Sequence, residues 1–228
     1  DCTKAMEMRP DLAEAHSNRG SAYSQKGMYD QAIRDCNNAI AIKPDFAEAY
    51  TYRGNAYVGK GLLDLAIADF NKAIELKPEL AEAYSNRGGT YGRMGNVDQA
   101  IRDCTKAIEI NPEYAEAYGN RGTAYLSQGL IDLAIKDYNK TIEINPDFAE
   151  AYCNRGSAYG RKGDYHQTLR DLSKAIELNP RYAEAYRTRA ATYYFLKDYD
   201  KAWADVRMCR QYGGEPSQSF MQNLINAT

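Results

Sequence analysis

A 34-residue pattern of apolar, small and polar positions runs through almost the whole sequence. Prolines recur at this interval, and the residues between successive prolines repeat almost word for word. With proline placed at position 32 of a 34-residue frame, full repeats begin at Ala13, Ala47, Ala81, Ala115, Ala149 and Ala183. The pattern therefore predicts six full copies of one structural unit.

Two stripes of apolar and small residues divide each repeat into two helices. In the first half, positions 4, 8 and 11 are spaced as i, i+4 and i+7, which is one face of an α-helix. These positions hold Tyr, Gly and Tyr, with His16 and Ala190 as the exceptions. Glycine at position 15 of the first five repeats predicts a turn, and aspartate at position 18 of most repeats favours the start of a second helix. Proline at position 32 ends that helix.

The two helices of a repeat are predicted to pack large residues against small ones. Because the turn lies between positions 15 and 16, residues of the antiparallel helices lie level when their positions add up to about 31. Glycine at position 8 is thus expected beside the bulky residue at position 24, and tyrosine at position 11 beside alanine at position 20. One helix pair cannot bury both of its sides, so neighbouring pairs must stack.

The repeated segment strongly resembles the tetratricopeptide-repeat (TPR) family, for instance in AEAYGNRGTAYLSQGLIDLAIKDYNKTIEINP from Ala115 to Pro146. The resemblance covers nearly every residue. It implies an all-α fold, a right-handed superhelical solenoid of antiparallel helix pairs that forms a single domain over residues 1–228. The expected parts are a half repeat (1–12), full repeats 13–46, 47–80, 81–114, 115–148, 149–182 and 183–216, and a capping helix (217–228).

The start of the chain predicts self-association. Residues 1–10, DCTKAMEMRP, match Asp103 to Pro112, DCTKAIEINP, so the chain opens on a second helix that lacks its first helix. We interpret this as a fragment of a longer solenoid. The apolar stripe of Cys2, Ala5, Met6 and Met8 is expected to fray or to pack on another copy.

The family resemblance implies a scaffold that binds a peptide or partner helix in the concave groove lined by the first helices, with no catalysis of its own. The alternative is a substrate-recognition or regulatory arm of a larger enzyme, such as a glycosyltransferase. A third possibility, an RNA-reading repeat protein, is disfavoured by the 34-residue period and by the charge, since 29 Lys and Arg against 31 Asp and Glu give −2. The expected partner is therefore a protein or peptide, and no nucleic acid.

Arginine at position 7 and aspartate at position 23 recur in all six repeats, where the family commonly has apolar or aromatic residues. The two positions add up to 30, so the side chains lie level on the same side of their helices. We predict structural ion pairs, with an anion site built from the arginines as the alternative. The pairs are Arg19 with Asp35, Arg53 with Asp69, Arg87 with Asp103, Arg121 with Asp137, Arg155 with Asp171, and Arg189 with Asp205.

The free face of the first helix holds positions 2, 6, 9 and 13, opposite the core stripe. A track of asparagines on this face, similar to the asparagine ladder in the TPR arm of O-linked N-acetylglucosamine transferases, is predicted to bond a partner's backbone. The alternatives are that asparagine solvates the face or bonds to an adjacent repeat. The predicted groove residues are Asn18, Asn55, Asn86, Asn120 and Asn154, flanked by Arg93 and Arg161 and lined by the small residues Ser85, Gly89, Gly119, Thr123, Cys153 and Ser157.

Glutamate at position 2 of every full repeat forms an acidic rail along the same face. The rail favours a partner that carries Lys or Arg, although acid in a first turn is also ordinary helix chemistry. Cochaperone TPR domains hold a C-terminal carboxylate with cations that this chain replaces by Thr51, Glu116 and Asn120, which disfavours that function. The rail consists of Glu14, Glu48, Glu82, Glu116, Glu150 and Glu184.

Nothing in the sequence predicts catalytic chemistry, a metal or a cofactor. The two histidines, His16 and His166, recur in no nucleophilic or ligand constellation. Five cysteines without a CxxC pair are expected to be buried thiols rather than disulfides or zinc ligands. No run of 18 apolar residues occurs, so no membrane insertion is expected. The compartment is barely constrained, with the cytoplasm favoured.

Overall fold

The computed structural model describes residues 12–228, and this part of the chain contains thirteen helices and no strand. The predictions about residues 1–10, including the apolar stripe of Cys2, Ala5, Met6 and Met8, lie outside the described residues. The helices are α1 (Ala13–Gln25), α2 (Tyr29–Ile42), α3 (Ala47–Gly59), α4 (Leu63–Leu76), α5 (Ala81–Arg93), α6 (Val97–Ile110), α7 (Ala115–Ser127), α8 (Ile131–Ile144), α9 (Ala149–Lys162), α10 (Tyr165–Leu178), α11 (Ala183–Phe195), α12 (Tyr199–Gln211) and α13 (Gln218–Ala227).

Helices α1 to α12 alternate between a first helix, here called an A helix, and a second helix, called a B helix. Each A helix begins at the alanine that opens the 34-residue frame, and each B helix begins two residues after the glycine or lysine at position 15. The predicted all-α fold of TPR helix pairs is confirmed.

Glycine at position 15 ends each A helix because the backbone there is left-handed. Gly27 has φ 72°, and the amide of Met28 donates across the turn to the carbonyl of Tyr23 at 2.9 Å. This is the hydrogen bond of a Schellman motif, which glycine adopts without steric cost. In the last repeat Lys197 adopts φ 60° in the same turn.

The two helices of a repeat approach closely where glycine at position 8 meets position 24, as the sequence predicts. A Cβ atom added to Gly54 would lie 2.6 Å from Cε1 of Phe70, and one added to Gly88 would lie 2.6 Å from Sγ of Cys104. Phe70 and Cys104 are fully buried. A side chain in place of Gly54 or Gly88 would therefore require the facing helix or its side chain to move.

The internal contacts divide the chain into two compact units, one ending at Arg121 and one running from Gly122 to Thr228. In unit 1, Ala47 and Ala73 pack with Ala83 of the next repeat. In unit 2, Cys153 and Leu172 likewise pack with residues of the following repeat. Within each unit, neighbouring repeats thus share their hydrophobic core, which is the stacking that the apolar pattern requires.

Helix α13 completes the core at the end of unit 2. The Ser217 hydroxyl caps the helix by accepting a hydrogen bond from the amide of Phe220 at 3.3 Å. Leu224 is fully buried against Ala190, Ala202 and Val206. This helix therefore covers apolar surface that the last helix pair would otherwise expose.

Candidate functional site

Arginine at position 7 and aspartate at position 23 form bidentate ion pairs in the five repeats whose two residues lie in one unit. In each, Nε lies 2.6–2.8 Å from one carboxylate oxygen and Nη2 lies 2.7–2.9 Å from the other. The aspartates are buried, whereas the arginines keep part of their surface exposed. Arg121 and Asp137 belong to different units, and their pairing stays a prediction.

From the second repeat onward, the arginine at position 7 also bonds to the B helix of the preceding repeat. Nη1 of Arg53 donates to Asn37 at 2.6 Å, and Nη1 of Arg87 donates to Asn71 at 2.6 Å. Position 25 supplies this acceptor in the later repeats too, as Thr105, Asn139 and Ser173. The sequence analysis missed this contact, although the small polar residue at position 25 of every full repeat before the last was a visible signal.

Tyrosine rings cover the guanidinium groups. Cζ of Arg53 lies 5.4 Å from the ring centroid of Tyr50 and 6.0 Å from that of Tyr57. The hydrogen bonds that Arg53 donates to Asp69 raise the pKa of Arg53 above its usual value. A carboxylate, a polar side chain and a tyrosine thus engage each guanidinium of Arg53, Arg87, Arg155 and Arg189, an arrangement that favours a structural role over an anion site.

Polar residues at positions 2, 6 and 9 of successive A helices in unit 1 form a strip that the helical spacing places opposite the core stripe. We call this strip the A face; it comprises Tyr52, Asn55, Glu82, Asn86, Glu116 and Asn120. Nδ2 of Asn86 donates to Oδ1 of Asn55 at 2.9 Å, and Nδ2 of Asn120 donates to the carbonyl of Ser85 at 3.3 Å. The amide nitrogens of Asn86 and Asn120 therefore already tie neighbouring A helices together, as the alternative interpretation of the asparagines held.

The remaining predicted groove residues are placed differently. Asn18 is exposed on α1 in unit 1, and Asn154 is half-buried on α9 in unit 2. The expectation that Ser85 and Cys153 line an open groove is wrong, because both are buried. The space beside Gly89 is filled by Asn120 of the next A helix, since a Cβ on Gly89 would lie 3.2 Å from Nδ2 of Asn120.

Arg93 and Arg161 contact the preceding A helix of their own unit. Nη1 of Arg93 donates to the carbonyl of Val58 at 3.3 Å, and Nη1 of Arg161 donates to the carbonyl of Leu126 at 2.9 Å. These carbonyls lie in the last turn of a helix, where the helix dipole favours a positive charge. This contact gives both arginines a structural partner besides any ligand.

The acidic rail is neutralised at its start but not in the third repeat. Lys43 lies 3.8 Å from Glu14, and Lys77 lies 2.7 Å from Glu48. Burial by itself raises the pKa of Glu48, but the hydrogen bond and charge of Lys77 outweigh burial and lower that pKa. In the third repeat the lysine is replaced by Asn111, whose side chain accepts a hydrogen bond from the amide of Glu113 at 3.1 Å.

Glu82 of the third repeat lies among other acids and two phenols. Burial and the charges of Glu116 and Glu48 raise its pKa, against hydrogen bonds with Asn86 and Asn55. The charge of Glu82, together with burial, also raises the pKa of Tyr52 and of Tyr114. Within residues 12–228, no lysine or arginine nitrogen lies within 4.0 Å of the Glu82 carboxylate.

The described residues hold no group of His, Cys, Asp and Glu suited to a metal ion. In the same part of the chain, no helix has the length and apolar character needed to cross a bilayer. Cys36, Cys104, Cys153 and Cys209 are buried free thiols. Burial raises the pKa of Cys36 and of Cys153 to about 12, so neither forms a reactive thiolate at neutral pH.

Three family descriptions match the sequence, all of them for TPR repeats. One tetratricopeptide repeat family matches residues 13–46, 81–114 and 149–182, and another matches residues 104–136 and 172–204. A further TPR repeat family matches residues 54–95 and 122–163. A search of curated proteins finds no match.

Solved structures of TPR proteins align with the chain. MamA is 34% identical, with 72% of this chain and 96% of MamA covered and a TM-score of 0.57. YrrB, described as a TPR protein with an unusual peptide-binding site, is 26% identical over 81% of this chain and 95% of its own, with a TM-score of 0.54.

The APC/C hetero-tetramer Cut9–Hcn1 aligns over 99% of this chain with a TM-score of 0.91 at 16% identity, a likeness of fold. The present chain spans 45% of that relative's length. Because MamA is 34% identical over nearly its whole length and TPR families match along the chain, the protein belongs to the tetratricopeptide-repeat family.

Proposed function

We propose that the protein is an interaction scaffold that binds an extended or helical segment of a partner protein along the A face of unit 1. The observation that carries the proposal is the half-buried polar strip in which Asn55, Asn86 and Asn120 follow one another on successive A helices. The likeness to YrrB, a TPR protein with an unusual peptide-binding site, supports it.

The strip offers acceptors to a partner backbone. Since Nδ2 of Asn86 and Nδ2 of Asn120 each donate to a neighbouring A helix, the amide groups are held in fixed orientations. An amide oxygen held in this way can accept a hydrogen bond from the backbone N–H of any residue, so the strip would hold a segment with little regard to its sequence.

The test uses matched pairs of asparagine substitutions in the full chain. A peptide enriched from a random library displayed on phage is synthesised, and its Kd is measured for wild type, for Asn86→Ala with Asn120→Ala, and for Asn37→Ala with Asn71→Ala. The control pair also loses hydrogen bonds between repeats, but from exposed positions on the B helices α2 and α4. Each contact is worth about 0.5–1.5 kcal/mol, so the A-face pair should weaken binding about tenfold.

The control pair should bind within about twofold of wild type. Unfolding by urea checks that both pairs remain folded. Equal affinity of all three proteins for the peptide would contradict the A face as the binding surface. The absence of any enriched peptide would contradict peptide binding itself.

A further inference from the structure

The turns between A and B helices carry most of the exposed apolar side chains of unit 1. Four of the five large apolar side chains that are exposed in the described part of this unit lie at these turns, with 38–49% of their surface exposed. Successive turns are adjacent, since Nζ of Lys60 lies 2.7 Å from Asp30 of the preceding repeat and Nη1 of Arg93 bonds to the carbonyl of Val58. We call these four residues the turn surface: Met28, Leu62, Leu65 and Met94.

Leucine at the start of α4 does not stabilise the helix end. Leu62 occupies the N-cap, where its side chain offers no acceptor to the free amides of the first turn. Asp164 occupies the same position of α10 with a similar backbone, φ −84° and ψ 76° against −87° and 64°, and its carboxylate accepts from the amide of Gln167 at 3.0 Å. Aspartate is a much better N-cap than leucine. Leu62 is thus neither buried nor a cap, so local stability does not explain it.

Leu65, one helical turn further along α4, also stands where other repeats use a polar side chain. In the third repeat this position is Gln99, whose Nε2 donates to Asp103 at 3.2 Å, and the fifth repeat makes the same bond at 3.1 Å. Leucine cannot make this bond, and Leu65 is 49% exposed. Repeat 2 therefore gives up a cap and a hydrogen bond at two neighbouring positions and presents two leucines to solvent.

The carboxylate of Asp64, between these leucines in the sequence, lacks the cation that its counterparts have. In the first and fourth repeats, the aspartate at position 18 pairs with a lysine at position 14 of the next repeat. The pairs are Lys60 with Asp30 and Lys162 with Asp132, both at 2.7 Å. For Asp64 that position holds Met94, and no lysine or arginine nitrogen in residues 12–228 lies within 4.0 Å of its carboxylate. A partner that covers the turn surface must therefore bring a positive charge or leave this carboxylate unpaired.

We propose that the turn surface binds an amphipathic helix of a partner protein, with a lysine or arginine of that helix opposite Asp64. The turn surface shares no residue with the A face, so this inference goes beyond the proposed function. Leucine and methionine side chains offer no partners to backbone N–H and C=O groups, and a helix satisfies these groups internally, whereas an extended segment does not. The two methionines can adapt their shape to the apolar side of such a helix.

The experiment selects a phage library of single helices on the full chain, after removal of helices that bind the variant Leu62→Asp with Leu65→Gln. The library varies the apolar side among Leu, Met, Ile and Phe, and one position beside it among Lys, Gln and Glu. Enriched helices should carry Lys. The Kd of the synthetic helix should rise about tenfold or more in the double variant, although the new aspartate adds negative charge.

Two further variants test the charge and the location. Asp64→Asn should raise the Kd of the Lys helix about fivefold and leave that of its Gln version unchanged. Leu130→Asp with Leu133→Gln is the matched control, because both leucines are exposed at the same positions of the fourth repeat but their aspartate is already paired with Lys162. This control should bind the selected helix within about twofold of wild type.

Urea unfolding distinguishes binding from a structural role of the leucines. Leu62→Asp with Leu65→Gln should unfold at about the urea concentration of wild type, because aspartate can cap α4 and glutamine can bond to Asp69. A clearly lower urea midpoint would assign the leucines to stability and overturn the inference. It is also overturned if no helix is enriched, if the enriched helices lack Lys, if Asp64→Asn binds the Lys helix as wild type does, or if the control pair loses as much affinity.

Discussion

Arginine at position 7 holds three helices together through one side chain. In the third repeat, Arg87 of α5 bonds to Asp103 of α6 in the same repeat and to Asn71 of α4 in the preceding one. The carboxylate is buried, so removing it leaves a half-buried guanidinium without its counter-charge. Removing the aspartate side chain should therefore lower the free energy of unfolding far more than removing the asparagine side chain.

Asp103→Ala is expected to lower the free energy of unfolding by about 3 kcal/mol, and Asn71→Ala by about 1 kcal/mol. The double variant Arg87→Met with Asp103→Leu should lose less than Asp103→Ala alone, because it leaves no unpaired charge. Urea unfolding of the four proteins measures these differences. Equal losses of stability in Asp103→Ala and Asn71→Ala would show that the carboxylate contributes no more than the asparagine does.

Two glycines of α5 predict opposite effects of the same substitution. A Cβ added to Gly88 would lie 2.6 Å from Sγ of Cys104 and 3.1 Å from the carbonyl oxygen of Ala100, whereas one added to Gly92 meets nothing nearer than Cβ of Ala100 at 3.9 Å. Gly88→Ala should thus destabilise the protein by about 2 kcal/mol through overpacking. Gly92→Ala should stabilise it by about 0.5–1 kcal/mol, since alanine favours a helix.

Thermal unfolding of the two glycine variants measures whether their stabilities change in opposite directions. A loss of stability in both variants would mean that the helix pair has no room near Gly92 either.

Among the elements, the turn between the A and B helices has a fixed backbone conformation. The glycine at position 15 has positive φ in the first five repeats, at Gly27, Gly61, Gly95, Gly129 and Gly163. Lys197 adopts the same conformation and completes the same hydrogen bond, from the amide of Asp198 to the carbonyl of Tyr193 at 2.9 Å. A lysine in the left-handed region costs about 1 kcal/mol relative to glycine.

Lys197→Gly should therefore raise the stability of the protein by about 1 kcal/mol, and Gly163→Ala should lower it by a similar amount. Both residues lie in unit 2, so their effects can be compared directly. The melting temperatures of the two variants provide the measurement. A lower melting temperature for Lys197→Gly would mean that contacts of the lysine side chain stabilise the fold by more than its backbone strain destabilises it.

Helix pairs could be predicted from the sequence because both apolar stripes and the turn glycine lie within one repeat. The equal height of positions 7 and 23 likewise follows from one helix pair. Contacts between repeats were harder to predict, since the geometry of one pair says nothing about its neighbour. Ser85 was expected to line the groove, yet it is buried, and its carbonyl accepts a hydrogen bond from Asn120 on the next A helix. The partner of Arg87 at Asn71 was missed for the same reason.

At the scale of the whole molecule, stability is built from contacts between neighbours in sequence. Within unit 1 and within unit 2, each helix pair packs on the next, and no described contact inside a unit joins distant repeats. Stability of such a chain is approximately the sum of repeat and interface contributions. A destabilising substitution should therefore affect mainly the repeats next to it.

Leu224→Ala tests this locality at the end of unit 2. Leu224 is fully buried, so the substitution should cost about 3 kcal/mol. Hydrogen exchange should become faster in α11, α12 and α13, which line its pocket, and stay unchanged in α1 to α4. Uniform acceleration along the chain would instead indicate that the whole protein unfolds as one cooperative body.

The three-way bonding of the arginine also redefines where one building block ends and the next begins. Arg53 stands sixteen residues after Asn37 and sixteen before Asp69, and it bonds to both. A block cut at the usual boundaries, residues 47–80, leaves Asn37 behind, whereas a block of residues 37–70 keeps the arginine with both partners. When repeats are duplicated, deleted or transplanted, the segment that keeps its own contacts intact is thus a permuted 34-residue segment centred on its arginine.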